Sequence, residues 1–146
     1  MYGYDREKAV AYAHKWAYGR NPAYGDFSEM GGDCTNFVSQ CLHAGGAPMN
    51  YTPTFGWFYA SLNNRAPAWT GVQPFYRFIT TNTKAGPYGW PAELSQLQIG
   101  DVMQLSFDKG VSFGHTALIV SVGTHPDPDN VLVATHSEDA DNRPVS

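Results

Sequence analysis

Cys34 has the surroundings of a nucleophile. It follows Gly31-Gly32-Asp33 and opens a run in which Phe37, Val38, Cys41 and Leu42 recur at helical spacing. The thiol therefore belongs in the first turn of a helix, on the apolar face. Asp33 is its expected N-cap, with a carboxylate that accepts an orphan backbone N–H. The positive end of a helix dipole and a neighbouring imidazolium both favour thiolate, the reactive form of cysteine. The unpaired backbone N–H of Cys34 lies where an oxyanion donor is wanted. Gly31-Gly32 leave room for a substrate backbone beside the sulfur. Cys41, two helical turns later and roughly 10 Å away, is too distant for a disulfide and reads as a small buried hydrophobe.

Two later strands begin and end in histidine. His115 opens an apolar run to Val122, and Val131 to His136 is a second strand beyond a loop containing Pro126 and Pro128. Paired as an antiparallel hairpin, the strands bring His115 and His136 to the same end. His115 is then the general base, and His136 holds it in the productive tautomer, as Asp or Asn does in other triads. His14, His43 and His125 read as plain surface residues. Cys34, His115 and His136 together predict acyl transfer through a thioester, with no metal or organic cofactor needed. Two other readings compete. One is a catalytically inactive module whose aromatic-rich middle binds glycans or peptides. The other is a zinc site built from the same three side chains. The sequence has no G-x-S-x-G elbow, no H-E-x-x-H and no phosphate-binding glycine loop. No carboxylate pair is singled out by its context for glycoside hydrolysis.

The elements that must position these groups are helices first and strands later, an α+β order. Residues 5–18 read as an amphipathic helix with Asp5 as N-cap, stopped by Gly19 and Asn21-Pro22. The Cys34 helix ends at Gly45-Gly46. Between residues 47 and 92, prolines punctuate an aromatic-rich stretch, with short helices expected around 56–62 and 74–80. Most of these aromatics are expected to pack the interior. Val102 to Phe107 alternates as a strand, with Met103, Leu105 and Phe107 on one side.

Size and composition fit one domain over residues 1–146. The chain is 42% hydrophobic and 14% aromatic, with a net charge of −4 and no basic run, which argues against a nucleic-acid partner. No stretch approaches the roughly 20 apolar residues of a membrane span. Met1 to Tyr4 carries no charged-then-apolar leader, which leaves the compartment open.

Taken together, these segments resemble a known family. Gly32-Asp33-Cys34-Thr35-Asn36-Phe37-Val38-Ser39-Gln40-Cys41 resembles the nucleophile helix of the putative amidase domain family of Gram-positive bacteria. That family is similar to the NlpC-like cell-wall peptidases and, more distantly, to papain. Asp5 to Pro22 resembles the family's opening helix. Trp69-Thr70-Gly71-Val72 and Gly100-Asp101-Val102 resemble its internal markers, and Gly114 to Val120 its base strand. Thr135-His136-Ser137 and Asn142-Arg143-Pro144 resemble its closing segment. The resemblance implies a papain-like α+β fold, with the nucleophile helix packed on an antiparallel sheet. It also implies a peptide or peptidoglycan-stem amide as substrate, and an extracellular or cell-wall setting. It assigns Cys34 as nucleophile, His115 as base and His136 as third residue. Tyr24 is the nearest match to a tyrosine that assists the oxyanion hole in NlpC-like enzymes, and Asp33 joins it as a candidate on the oxyanion and substrate side. The family carries further strand past Arg-Pro, so the resemblance implies either that an edge strand is missing here or that the sequence is trimmed at Ser146.

Overall fold

A computed structural model describes residues 3–106, 112–136 and 138–145. The first helix, α1 (Arg6–Trp16), starts where Asp5 accepts the Lys8 N–H at 3.1 Å, as the capping pattern predicts. Helix α2 (Cys34–Ala44) ends at Gly45, followed by Gly46 at φ +105°. Nine consecutive residues of α2, Cys34 to Leu42, are buried, so this helix forms the centre of the molecule and does not lie on its surface. Phe37, Val38, Cys41 and Leu42 form its apolar face.

The polar residues on the other side of α2 are buried with partners. Asn36 accepts the Trp69 indole N–H at 3.0 Å and donates to the Gly25 carbonyl at 2.9 Å. Ser39 donates to the Trp69 carbonyl and accepts the Trp57 indole N–H, at 2.9 and 3.0 Å. Satisfied in this way, buried polar groups avoid the 1–3 kcal/mol or so that each would cost if left unpaired. Trp57 and Trp69 are fully buried, 4.6 Å apart between ring centroids, and interior packing is indeed the role of the larger aromatics here. Tyr51, Phe55, Tyr88 and Trp90 are exceptions, 68%, 82%, 62% and 75% exposed.

One expected helix is absent. Around 56–62 the chain forms strands β1 (Tyr59–Ser61) and β2 (Asn64–Arg65), an antiparallel pair. The aromatic run Trp57-Phe58-Tyr59 favours extended backbone, and Trp57 pairs with Asn50 in a bridge. Gly56 sits so close to that bridge that a Cβ would come within 2.2 Å of the Asn50 carbonyl oxygen. Helices α3 (Pro67–Thr70) and α4 (Val72–Thr81) follow, and the second of these includes the expected 74–80 segment.

The second half is a four-stranded antiparallel meander of β3 (Val102–Leu105), β4 (His115–Ser121), β5 (Leu132–Thr135) and β6 (Ala140–Pro144), in that spatial order. The expected extension of β3 to Phe107, like Ser137, lies outside the described residues. The edge strand β6 takes in the Asn142-Arg143-Pro144 segment that sequence reading left without a secondary structure. Helix α2 packs on β4. Alternation divides the sheet into two faces. Leu118, Val120 and Ala134 meet α2, while Ala117, Ile119, Val131 and Val133 form a second cluster with Leu97 and Met103 on the opposite face.

Candidate active site

The head of α2 carries the proposed nucleophile. Cys34 is its first residue, 7% exposed, preceded by Gly31 and Gly32 at φ +97° and +105°. These are left-handed conformations that favour glycine, and they turn the chain sharply into the helix. Both cysteines are free thiols. Among the described residues, the polar contact of Cys34 Sγ is Thr35 Oγ1 at 3.8 Å, and the sulfur hydrogen-bonds neither imidazole. Thr35 Oγ1 in turn meets Thr116 Oγ1 on β4 at 2.9 Å, which ties the first turn of α2 to the strand that His115 opens. Complete burial pushes the Cys41 thiol well up, in keeping with an inert core cysteine.

Asp33 occupies the N-cap position, but its side chain does not cap the helix. Fully buried, its Oδ1 accepts the Phe27 backbone N–H at 2.8 Å and the Asn36 side-chain amide at 2.9 Å. Its Oδ2 faces His136 Nδ1 and lies 3.5 Å from Arg20 Nε. The expected capping bond thus gives way to a network that anchors the loop before Cys34. As a candidate on the oxyanion side, Asp33 is already committed to these four donors.

His136 is part of the same network. Its ring is almost fully buried and stacks on Phe37, with 4.0 Å between centroids. Nδ1 faces Asp33 and Nε2 meets the Trp16 carbonyl oxygen at 2.8 Å. Both ring nitrogens are thus engaged, and neither is left for His115. The two histidines share an end of the β4–β5 hairpin but not a face, because a single step along a strand reverses the side-chain direction. His136 turns towards α2. His115 lies on the other face, beside Ala117.

The partner of His115 is Thr135, whose Oγ1 lies 2.7 Å from His115 Nε2. The same hydroxyl donates to the His136 carbonyl oxygen at 2.9 Å. His115 and Thr135 border an open groove of about 460 Å³, floored by Ala117 and Val133 and edged by Glu138 and Arg143. Burial, and next the Arg143 guanidinium, lower the His115 pKa from its ordinary value, while Glu138 opposes them. Arg143→Gln should therefore raise the His115 titration midpoint, and Glu138→Gln should lower it, both followed by the ring signals in an NMR titration. An unmoved or reversed midpoint in Arg143→Gln would contradict the assigned field.

Tyr24 is half-buried and stacks on Trp69, with ring centroids 5.9 Å apart and planes 17° apart. Burial raises its phenol pKa. Sequence reading missed Arg20 and Thr135. Arg20 grips Asp139 with two bonds of 2.9 and 3.0 Å and reaches Asp26 at 3.3 Å, joining the α1–α2 loop to the β5–β6 turn. Nothing in its sequence context marks this role, because its main partner is 119 positions away. Thr135 could have been found by applying strand alternation to its neighbour His136. Among the described residues, no three His, Cys, Asp or Glu side chains converge as a metal site, and no helix is long and apolar enough to cross a membrane.

Comparison with known proteins gives a match to the family described as "Putative amidase domain" over residues 3–146. The uncharacterized protein YhbB of Bacillus subtilis (strain 168) is 40% identical over 121 residues, covering 81% of this chain and 37% of YhbB. The uncharacterized protein YjcM of the same strain is 28% identical over 129 residues, covering 82% of this chain and 28% of YjcM. The chain thus spans well under half the length of either relative. No solved structure matches it.

Proposed function

From the premise that this chain belongs to the "Putative amidase domain" family, we propose that it is a cysteine-dependent amide hydrolase, with Cys34 as nucleophile and His115 as general base. The observation that carries the cysteine mechanism is the placement of Cys34. It is the first residue of α2, behind two left-handed glycines, on a helix packed against the strand that begins with His115. A nucleophile helix on an antiparallel sheet also supports kinship with the papain-like and NlpC-like group, and through it a peptide or peptidoglycan-stem substrate.

In the proposed reaction, His115 takes the thiol proton and the sulfur adds to the amide carbonyl carbon. The C–N bond then breaks as His115 returns the proton to the leaving amine, leaving a thioester on Cys34. Water, deprotonated by His115, attacks the thioester, and the acid departs as the thiol is restored. Catalytic hydrogen bonds in substrate-free enzymes are often long and tighten only in the Michaelis complex. The structure has no Sγ–His115 bond, so the proposed reaction requires substrate binding to bring the two within reach. The thiols provide a test: iodoacetamide should modify Cys34 before the fully buried Cys41, and hydrolysis of a muropeptide pool should fall in proportion to Cys34 modification. Full hydrolysis by protein quantitatively alkylated at Cys34 would refute the assignment.

A further inference from the structure

The contacts around His115 carry a tautomer assignment. Thr135 Oγ1 has a single proton and two close polar neighbours, the His136 carbonyl oxygen at 2.9 Å and His115 Nε2 at 2.7 Å. The carbonyl oxygen only accepts, whereas the imidazole nitrogen can donate or accept, so both contacts are hydrogen bonds together only when the hydroxyl proton points to the carbonyl. The second contact must then run the other way, with His115 Nε2–H donating to a lone pair on Thr135 Oγ1. A neutral His115 held like this keeps its lone pair on Nδ1, which has no hydrogen-bond partner among the described residues.

We propose that Thr135 is the positioning residue of the base: it fixes His115 as the Nε2–H tautomer and leaves Nδ1 free to take the thiol proton. The inference rests on the reading of His115 as general base. The alternation of β5 explains how adjacent residues divide the work. The Thr135 side chain reaches the His115 face, and the His136 ring reaches the α2 face, where it holds Asp33 beside Cys34. The His136 carbonyl, which receives the Thr135 proton, joins the two arrangements. The sheet thus positions the base and the loop before the nucleophile through consecutive residues of one strand end.

Long-range 1H–15N correlation spectra of the His115 ring test this without any substrate. At a pH where His115 is neutral, the wild-type chain should show a protonated Nε2 and an unprotonated Nδ1. Thr135→Val, nearly the same size and without an acceptor, should shift the population towards the Nδ1–H form. It should also lower kcat roughly 10- to 100-fold, the range seen for lost orienting partners, with KM changed by less than about twofold. Thr135→Ser should restore both the tautomer and the rate. A wild-type ring protonated on Nδ1, or a Val variant with unchanged tautomer and kcat, would overturn the proposal. The same spectra of Cys34→Ala keep the two readings separate. Retained hydrolysis by that variant counts against the nucleophile, whereas the tautomer populations report on Thr135 alone.

Discussion

Cys34→Ala should lose at least about 10³-fold in hydrolytic rate while keeping the fold of the parent chain. Removing the nucleophile of a hydrolase that works through an acyl-enzyme removes the covalent path itself, and losses of up to about 10⁶-fold are known where nucleophile and base act as a unit. The fold should survive because Cys34 contributes little to the packed interior. Among the described residues its sulfur makes one weak polar contact, 3.8 Å to Thr35, and the apolar face of α2 is built from Phe37, Val38, Cys41 and Leu42. Deleting one small, nearly buried sulfur costs far less than truncating Phe37, a loss in the range of about 3–5 kcal/mol. Circular dichroism and a melting curve measure the fold, and a mass-resolved muropeptide digest measures the rate. His115→Ala should lose rate to a similar degree, since in the proposed reaction proton transfer in both half-reactions runs through it. If Cys34→Ala kept the parent's rate on a confirmed substrate, the nucleophile would lie elsewhere.

The second large effect concerns stability. Asp33→Ala should destabilise the fold by about 3–5 kcal/mol, the cost of breaking a buried charged pair by removing one partner. The carboxylate is fully buried and serves four donors: the Phe27 backbone N–H, the Asn36 amide, His136 Nδ1 and, at 3.5 Å, Arg20 Nε. Truncation leaves these groups without their acceptor and the Arg20 guanidinium without a buried counter-charge. Against a typical total of about 5–15 kcal/mol, the loss is severe. At about 2–4 °C per kcal/mol for domains of this size, the melting temperature should fall by roughly 6–20 °C. The ion pair of Arg6 with Asp101 gives the contrast. Its side chains are 35% and 30% exposed, and Asp101→Asn should cost no more than about 1 kcal/mol. An Asp33→Ala melting temperature within a degree or two of the parent's would show that the buried network contributes little. Because Asp33 immediately precedes Cys34, the same substitution should also lower activity in molecules that remain folded.

These two residues show where sequence reading succeeds and where it stops. Asp5 and the spacing of Ala9, Tyr12, Ala13 and Trp16 are local signals, and α1 forms where they predict. The same holds for the apolar face of α2 and for β3 to β5, where alternation or continuous apolar runs are visible within a few residues. Asp33 looks equally local, a textual N-cap, yet its carboxylate turns to a histidine 103 positions away. No propensity argument sees that far. The expected contact between the two histidines is missing for a different reason. Counting placed His115 and His136 at one hairpin end, which is where they lie, but the parity of the strand decides the face, and parity gives His115 the neighbour Thr135. The segment around 56–62 was misread because the close backbone approach at Gly56 and the bridge to Asn50 are tertiary facts.

A rapid acid quench during turnover, followed by peptide mapping by mass, would look for the covalent intermediate itself. The cysteine mechanism predicts an acyl adduct on the peptide containing Cys34, absent from Cys34→Ala and built up in a burst when deacylation is slow. Steady hydrolysis with the Cys34 peptide unmodified at every quench time, together with an adduct on another side chain, would contradict it.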